Sequence, residues 1–189
     1  MPRKTTSPAT PSSRVVVRPF TADDATSVSV VMRAAFATFI PKPHQPTVFA
    51  GFAPERLQAA NPPDAADHIA GYVAVSDGAV VGYIHGTANP FGFGTLSVIG
   101  IDPQHLHQGI GTQMMRKMLS FWQRQGMRKV STCVSAHNSR AFLFYARHGF
   151  RPVGYQRDHF MVGVDEVLLD KFLEPRPAPA SRRRTPPAP

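Results

Sequence analysis

The sequence predicts an α+β fold, a single domain on a mixed, mostly antiparallel sheet of about six to seven strands flanked by about four helices. Three observations carry this. The elements read in the order β-α-α-β-β-β-α-β-α-β-β without internal repeats. Asp77-Gly78 joins two β-rich runs, a strong hairpin signal. At 189 residues and 42% hydrophobic content, the chain can bury one sizeable core and is short for two.

Residues 15–18 form a short β-branched run ended by Pro19, and the segment from Thr21 carries Asp23 and Asp24 where a helix N-terminus favours acidic side chains. A strand and then a helix are expected. Prolines at 41, 43, 46, 54, 62 and 63 confine any helix between them to a short one around 54–60, with proline in its first turn. Runs 72–75 and 80–85 flank the turn Ser76-Asp77-Gly78 as two strands. Residues 95–101 make a further strand, halted at Asp102-Pro103. Residues 109–125 then show helical spacing through Met114, Met115, Met118, Leu119 and Trp122 as far as Gly126, a suitable C-cap. The remainder reads as a strand at 129–134, a helix at 139–148 closed by Gly149, and strands at 152–156 and 167–172.

The formal charge of +9 is concentrated at the ends. Arg3, Lys4 and Arg14 lie in a Pro/Ser/Thr-rich head (1–14), and Arg176, Arg182, Arg183 and Arg184 in a Pro-rich tail (174–189). Residues 15–173 keep 14 basic and 11 acidic side chains. The head and tail are too poor in apolar residues to offset the entropy of ordering, so both are expected to be disordered, with the folded domain at 15–173. A nucleic-acid arm would interleave its arginines with aromatic residues for stacking, and this tail does not, so nucleic acid is not an expected partner. The head has no apolar stretch behind its charges, and no run approaches the roughly 20 apolar residues that span a bilayer, so neither secretion nor a membrane is expected. Cys133 is the single cysteine, which precludes an intrachain disulfide or a multi-cysteine zinc site and fits a cytoplasmic protein.

The strongest constellation is the expected strand, then residues 102–107, then Gln108-Gly109-Ile110-Gly111-Thr112 opening a helix. Glycines at a strand-to-helix turn permit close approach of a ligand. The first four amides of a helix lack intrahelical partners and sit at the positive end of its dipole, so such a turn suits a phosphodiester. It is not a P-loop, because neither glycine precedes lysine. Nor is it a dinucleotide fingerprint, because Met114 stands where the third glycine belongs.

The segment VIGIDPQHLHQGIGTQMM resembles motif A of the GNAT acetyltransferases, in which a strand ending in aliphatic-x-Pro leads through Gln/Arg-x-x-Gly-x-Gly/Ala into a helix. Ile101-Asp102-Pro103 and Gly109-Ile110-Gly111 are in register, while Leu106 occupies the place usually held by Gln or Arg. About 27 residues later, VSAHNSRAFLFYARHGF resembles motif B of the same family through Asn138, Tyr145, Gly149 and Phe150. The resemblance covers residues 15–173 and implies a GNAT-like domain with its sheet splayed between the fourth and fifth strands. It also implies acetyl-CoA as co-substrate and direct acetyl transfer to an amine, without a metal.

By that resemblance, Ile99, Gly100 and Ile101 pair with pantetheine like an added strand. His107, Gln108, Gly109, Ile110, Gly111 and Thr112 surround the pyrophosphate, Asn138 contacts the cofactor, and the Tyr145 hydroxyl reaches its sulfur. A tyrosine is protonated at neutral pH and suits the role of general acid toward the departing thiolate.

The amine also needs a base. Where some relatives carry a glutamate, five residues before the motif B asparagine, this chain has Cys133. His85 is the candidate base named here, with His159 and Asp158 behind it. His105 and His107 form a His-x-His pair without a third ligand at useful spacing, so no metal is expected. The Pro-rich region 41–63 is expected to be flexible and to face the acceptor, whose identity is not encoded in these motifs. A homodimer is among the assemblies open to the chain. The alternative from another functional class is a non-catalytic module of the same fold that binds acyl-CoA.

Overall fold

The computed structural model describes residues 14–173. The tail and all of the head except Arg14 lie outside the described residues. The described chain runs β1 Val16–Pro19, α1 Ala25–Ala37, α2 Gln45–Ala50, α3 Pro54–Ala59, β2 Ile69–Ser76, β3 Ala79–Asn89 and β4 Phe93–Ile101. It continues with α4 Ile110–Arg124, β5 Lys129–Ser135, α5 Ser139–Arg147, β6 Arg151–Met161 and β7 Val164–Phe172. All seven strands join one sheet in the order β1-β2-β3-β4-β5-β7-β6. Every neighbouring pair is antiparallel except β4 and β5.

The mixed, mostly antiparallel sheet is as expected, and the described residues hold five α-helices where about four were expected. The additional one is α2, inside the Pro-rich stretch. Both α2 and α3 place a proline at their first positions, where its missing N–H is no loss. The Asp77-Gly78 turn forms as the sequence predicts, both residues adopting positive φ, 48° and 81°, which matches the twist of the β2–β3 hairpin.

Alternation along β3 divides the core between two faces of the sheet. Ile84 points to the cluster built by α4, and Tyr83 to the smaller cluster beneath α1 and α3. Trp122 anchors the first. It is fully buried, its Nε1–H donates to the Thr87 carbonyl at 2.8 Å, and its ring lies so close to the sheet that a Cβ at Gly86 or Gly94 would come within 2.7 Å of it. On the other face, a Cβ at Gly100 would meet Met32 Sδ at 2.6 Å, so α1 rides directly on the end of β4.

The entry to α1 is held by Asp24, which accepts two hydrogen bonds from the Arg18 guanidinium at 2.7 Å each and one from the Thr21 amide at 2.8 Å. The guanidinium is the largest cause holding the Asp24 carboxyl below the usual carboxylate range. This ties the end of β1 to the helix that covers the sheet.

Candidate functional site

The parallel β4–β5 ladder has three pairs among the described residues, Phe93↔Lys129, Gly94↔Val130 and Thr95↔Ser131. Beyond them the strands diverge. The register of β4 against β3 shifts between the pairs His85↔Val98 and Gly86↔Leu96, leaving Ser97 as an extra residue that bends β4 away from β5. Thr132 Oγ1 caps the last rung by donating to the Leu96 carbonyl at 3.1 Å. A slot through the sheet results, bounded by the ends of β4 and β5.

One hydrogen bond fixes which backbone groups of β4 face that slot. Asp102 N–H donates to the Val81 carbonyl at 2.9 Å. In an antiparallel ladder successive residues point their amides to opposite sides, so Ile99 and Ile101 turn theirs toward the slot while Gly100 turns toward β3. The sequence singles out all three; the ladder separates them.

The loop from β4 to α4 is locally ordered. Asp102 Oδ1 accepts from Gln104 N–H at 2.8 Å to start a 3₁₀ turn, Pro103–His105, which ends at the half-buried Leu106. His107 and Gly109 both take positive φ, 64° and 76°, and exposed Gly109 is the N-cap of α4. The two glycines serve different needs. A Cβ at Gly109 would meet nothing, so its backbone conformation is what requires glycine. A Cβ at Gly111 would come within 3.1 Å of Ile101 and Phe144, so there it is close packing of the helix on β4 and α5. Gly109→Ala is therefore expected to fold with a stability loss of about 1–2 kcal/mol from left-handed backbone strain, read as a lowered denaturation midpoint.

Asn138 begins α5 as its N-cap, Oδ1 accepting from the Ala141 amide at 3.1 Å. Its side-chain NH₂ donors are not engaged by that cap. Thr112 Oγ1 lies 3.5 Å from His148 Nε2, linking the first turn of α4 to the end of α5. Tyr145 projects from α5 into the core, 6% exposed, in edge contact with Phe144 and Phe150. Thr132, the residue that closes the β4–β5 ladder, is a polar neighbour of its hydroxyl. Burial pushes the Tyr145 pKa well above the ordinary tyrosine range, so the phenol stays protonated.

The structure brings residues 99–112, Asn138 and Tyr145 around one slot, and it sets His85 apart. His85 shares the α1/α3 face with Tyr83, its Nε2 lies 2.9 Å from the Ala60 carbonyl, and burial lowers its pKa, so the neutral ring donates to that carbonyl. Asp158 and His159 lie on β6, the sheet edge, where Asp158 Oδ1 accepts from the Gly163 amide at 2.5 Å. His105 Nδ1 is 3.8 Å from Asp102, and among the described residues no group of three or more His, Cys, Asp or Glu is arranged to hold a metal ion.

One acidic residue near the slot escapes the sequence reading. Glu166 on β7 is 4% exposed and pairs across the ladder with Ser135, whose Oγ donates to Glu166 Oε1 at 2.9 Å. Desolvation raises the Glu166 pKa, opposed by the Ser135 hydrogen bond and by His159 and His137. Its charge is felt by Cys133 and Tyr145. Reading the last strand as starting at 167 leaves Glu166 in a loop. Extending the alternation back to Val164 would have put it on a buried position.

The acetyltransferase (GNAT) family model matches residues 36–150. The chain is 34% identical over 101 residues to N-alpha-acetyltransferase RimI of Mycobacterium tuberculosis, a match spanning 51% of this chain and 61% of that protein. Two solved structures share the fold. PaiA N-acetyltransferase from Thermoplasma acidophilum, in complex with coenzyme A, superposes with a TM-score of 0.72 at 17% identity over 85% of this chain and 99% of that one. The ribosomal-protein-S18-alanine N-acetyltransferase from Escherichia coli does so with a TM-score of 0.68 at 14% identity, over 84% and 94%. The splayed sheet, the glycine turn opening α4 and the capped α5 thus occur in a chain that belongs to the acetyltransferase (GNAT) family.

Proposed function

We propose that this protein is an N-acyltransferase that moves an acetyl group from acetyl-CoA directly to an amine. The observation that carries the reading is the slot: open backbone groups of Ile99 and Ile101 on one wall, free helix N-terminal amides at its mouth, and a protonated phenol, Tyr145, at its closed end. Extended pantetheine would pair with the β4 edge as an added strand. The pyrophosphate would sit on the first amides of α4, with His107 and Gln108 exposed beside it. Leu106 supplies no polar group there, so that contact rests on backbone. Asn138 would use its NH₂ group, since Oδ1 is committed to the cap.

In this reading the amine attacks the thioester carbonyl, a β4 amide polarises that carbonyl, and Tyr145 donates to the departing sulfur. The names of the relatives put polypeptide α-amines first among acceptors to test. A cytoplasmic site of action belongs to the same reading and is supported by the single cysteine. No helix among the described residues is long and apolar enough to cross a membrane.

The test is release of CoA thiol from acetyl-CoA over a panel of peptides with free α-amines, lysine peptides and small amines. Acceptor-dependent release is expected. Tight acetyl-CoA binding with no release on any amine would leave the non-catalytic module as the answer.

A further inference from the structure

The slot has two sides. Tyr145 belongs to the core on the α4 face, together with Val130, Val134, Val167 and Leu169. Strand alternation turns Cys133 and Ser135 of β5, and Glu166 of β7, to the opposite face. That face is where α1 rides on β4, and His137, just beyond β5, reaches the Phe39 carbonyl at 3.5 Å after the end of α1. The turn between β6 and β7 meets this side as well, the Val162 carbonyl lying 3.1 Å from Nε2 of His44, the residue before α2. A carboxylate therefore lies on the sheet face opposite the phenol, one strand beyond the slot and beside Ser135 of β5, and its charge acts on Tyr145.

An isolated buried carboxylate is costly unless something uses or pairs its charge. Glu166 has one neutral hydrogen-bond partner, Ser135, and no Lys or Arg within ion-pair distance among the described residues. The titratable groups around it are Cys133 on β5, His137 after β5, His159 on β6 and Tyr145 on α5. Such a site holds a carboxylate whose second oxygen is left for a cation.

From this juxtaposition we infer that Glu166 is the proton acceptor for the incoming amine, oriented by Ser135, and that the acceptor enters from the α1 face of the slot. The inference rests on the acetyl-transfer reading above. The substrate arrives as an ammonium and gives one N–H proton to the Glu166 carboxylate. The freed lone pair forms the C–N bond at the thioester carbonyl carbon. Collapse of the adduct breaks the C–S bond; the sulfur takes a proton from Tyr145, and the nitrogen's surplus proton returns the phenol to its neutral form. Glu166 then releases its proton to solvent, so one proton leaves per turnover.

The raised pKa of Glu166, caused chiefly by its desolvation, makes it a better base than a solvated glutamate. Since only the ionised form accepts a proton, kcat/KM should fall as pH drops through its folded-state pKa.

The experiment is CoA-thiol release by the full chain, with acetyl-CoA and two acceptor amines of well-separated pKa, across a pH series. For the wild type, the acidic limb is expected at the same pH for both amines. For Glu166→Gln, a loss of about 10²–10³-fold in kcat/KM at neutral pH is expected, shrinking at high pH where the free amine is abundant, with the acetyl-CoA dissociation constant unchanged. Glu166→Asp should recover part of the rate. A limb that follows the pKa of each amine, or a Glu166→Gln enzyme as active as wild type, overturns the inference and leaves acetyl transfer intact. Should Glu166→Gln not fold, the wild-type limb alone decides. A wild type that turns over no amine removes the acetyl-transfer reading and this inference with it.

Discussion

Tyr145→Phe is expected to lower kcat by about 10²-fold or more while leaving the acetyl-CoA dissociation constant within a few-fold of wild type. The change removes one oxygen at the closed end of the slot and keeps the ring that packs against Phe144 and Phe150. A departing thiolate, whose conjugate acid has a pKa of about 8.5, then leaves without a donor. The same substitution removes one buried hydroxyl, at a stability cost of about 1 kcal/mol, too small to imitate a catalytic loss through unfolding. Single-turnover CoA release and calorimetric titration with acetyl-CoA separate the two quantities. An unaltered kcat would remove Tyr145 from the chemistry.

Trp122→Ala should cost about 3–5 kcal/mol of folding free energy, lowering the thermal midpoint by roughly 10 °C. The indole fills the space over two glycines, Gly86 and Gly94, that cannot relax inward to close the cavity, and its N–H is the partner of the Thr87 carbonyl. Both losses fall on the α4 face of β3 and β4, immediately before the point where β4 and β5 part. A thermal scan in the presence and absence of saturating acetyl-CoA reads the effect; a shift of only a degree or two would show that α4 does not depend on this anchor.

Much of the fold was legible because its signals are local. The Asp77-Gly78 turn, the proline opening α3, the methionine and tryptophan spacing of α4 and the closing glycines at 126 and 149 each act within a few residues. The glycine turn after β4 and the Asn138 to Phe150 pattern are likewise local, which is why the proposed cofactor side of the slot could be read from the sequence. The acceptor side could not. Ser135 and Glu166 meet across 31 residues of chain, and β7 lies between β5 and β6. Reading β7 from 167 left Glu166 outside the strand and its burial invisible.

By itself, then, the sequence determined the order of elements apart from α2, the turns between them and the two motifs proposed to face the cofactor. Each rests on backbone conformations and side-chain periods that neighbouring residues impose. Only the tertiary structure decided that Ile99 and Ile101, but not Gly100, turn toward the slot, that Gly111 is needed for packing rather than conformation, that His85 is tied to Ala60, and that Glu166 is buried opposite Tyr145. Those outcomes depend on register and on which strands become neighbours. A shift of one residue would exchange every side chain between the two faces of the sheet.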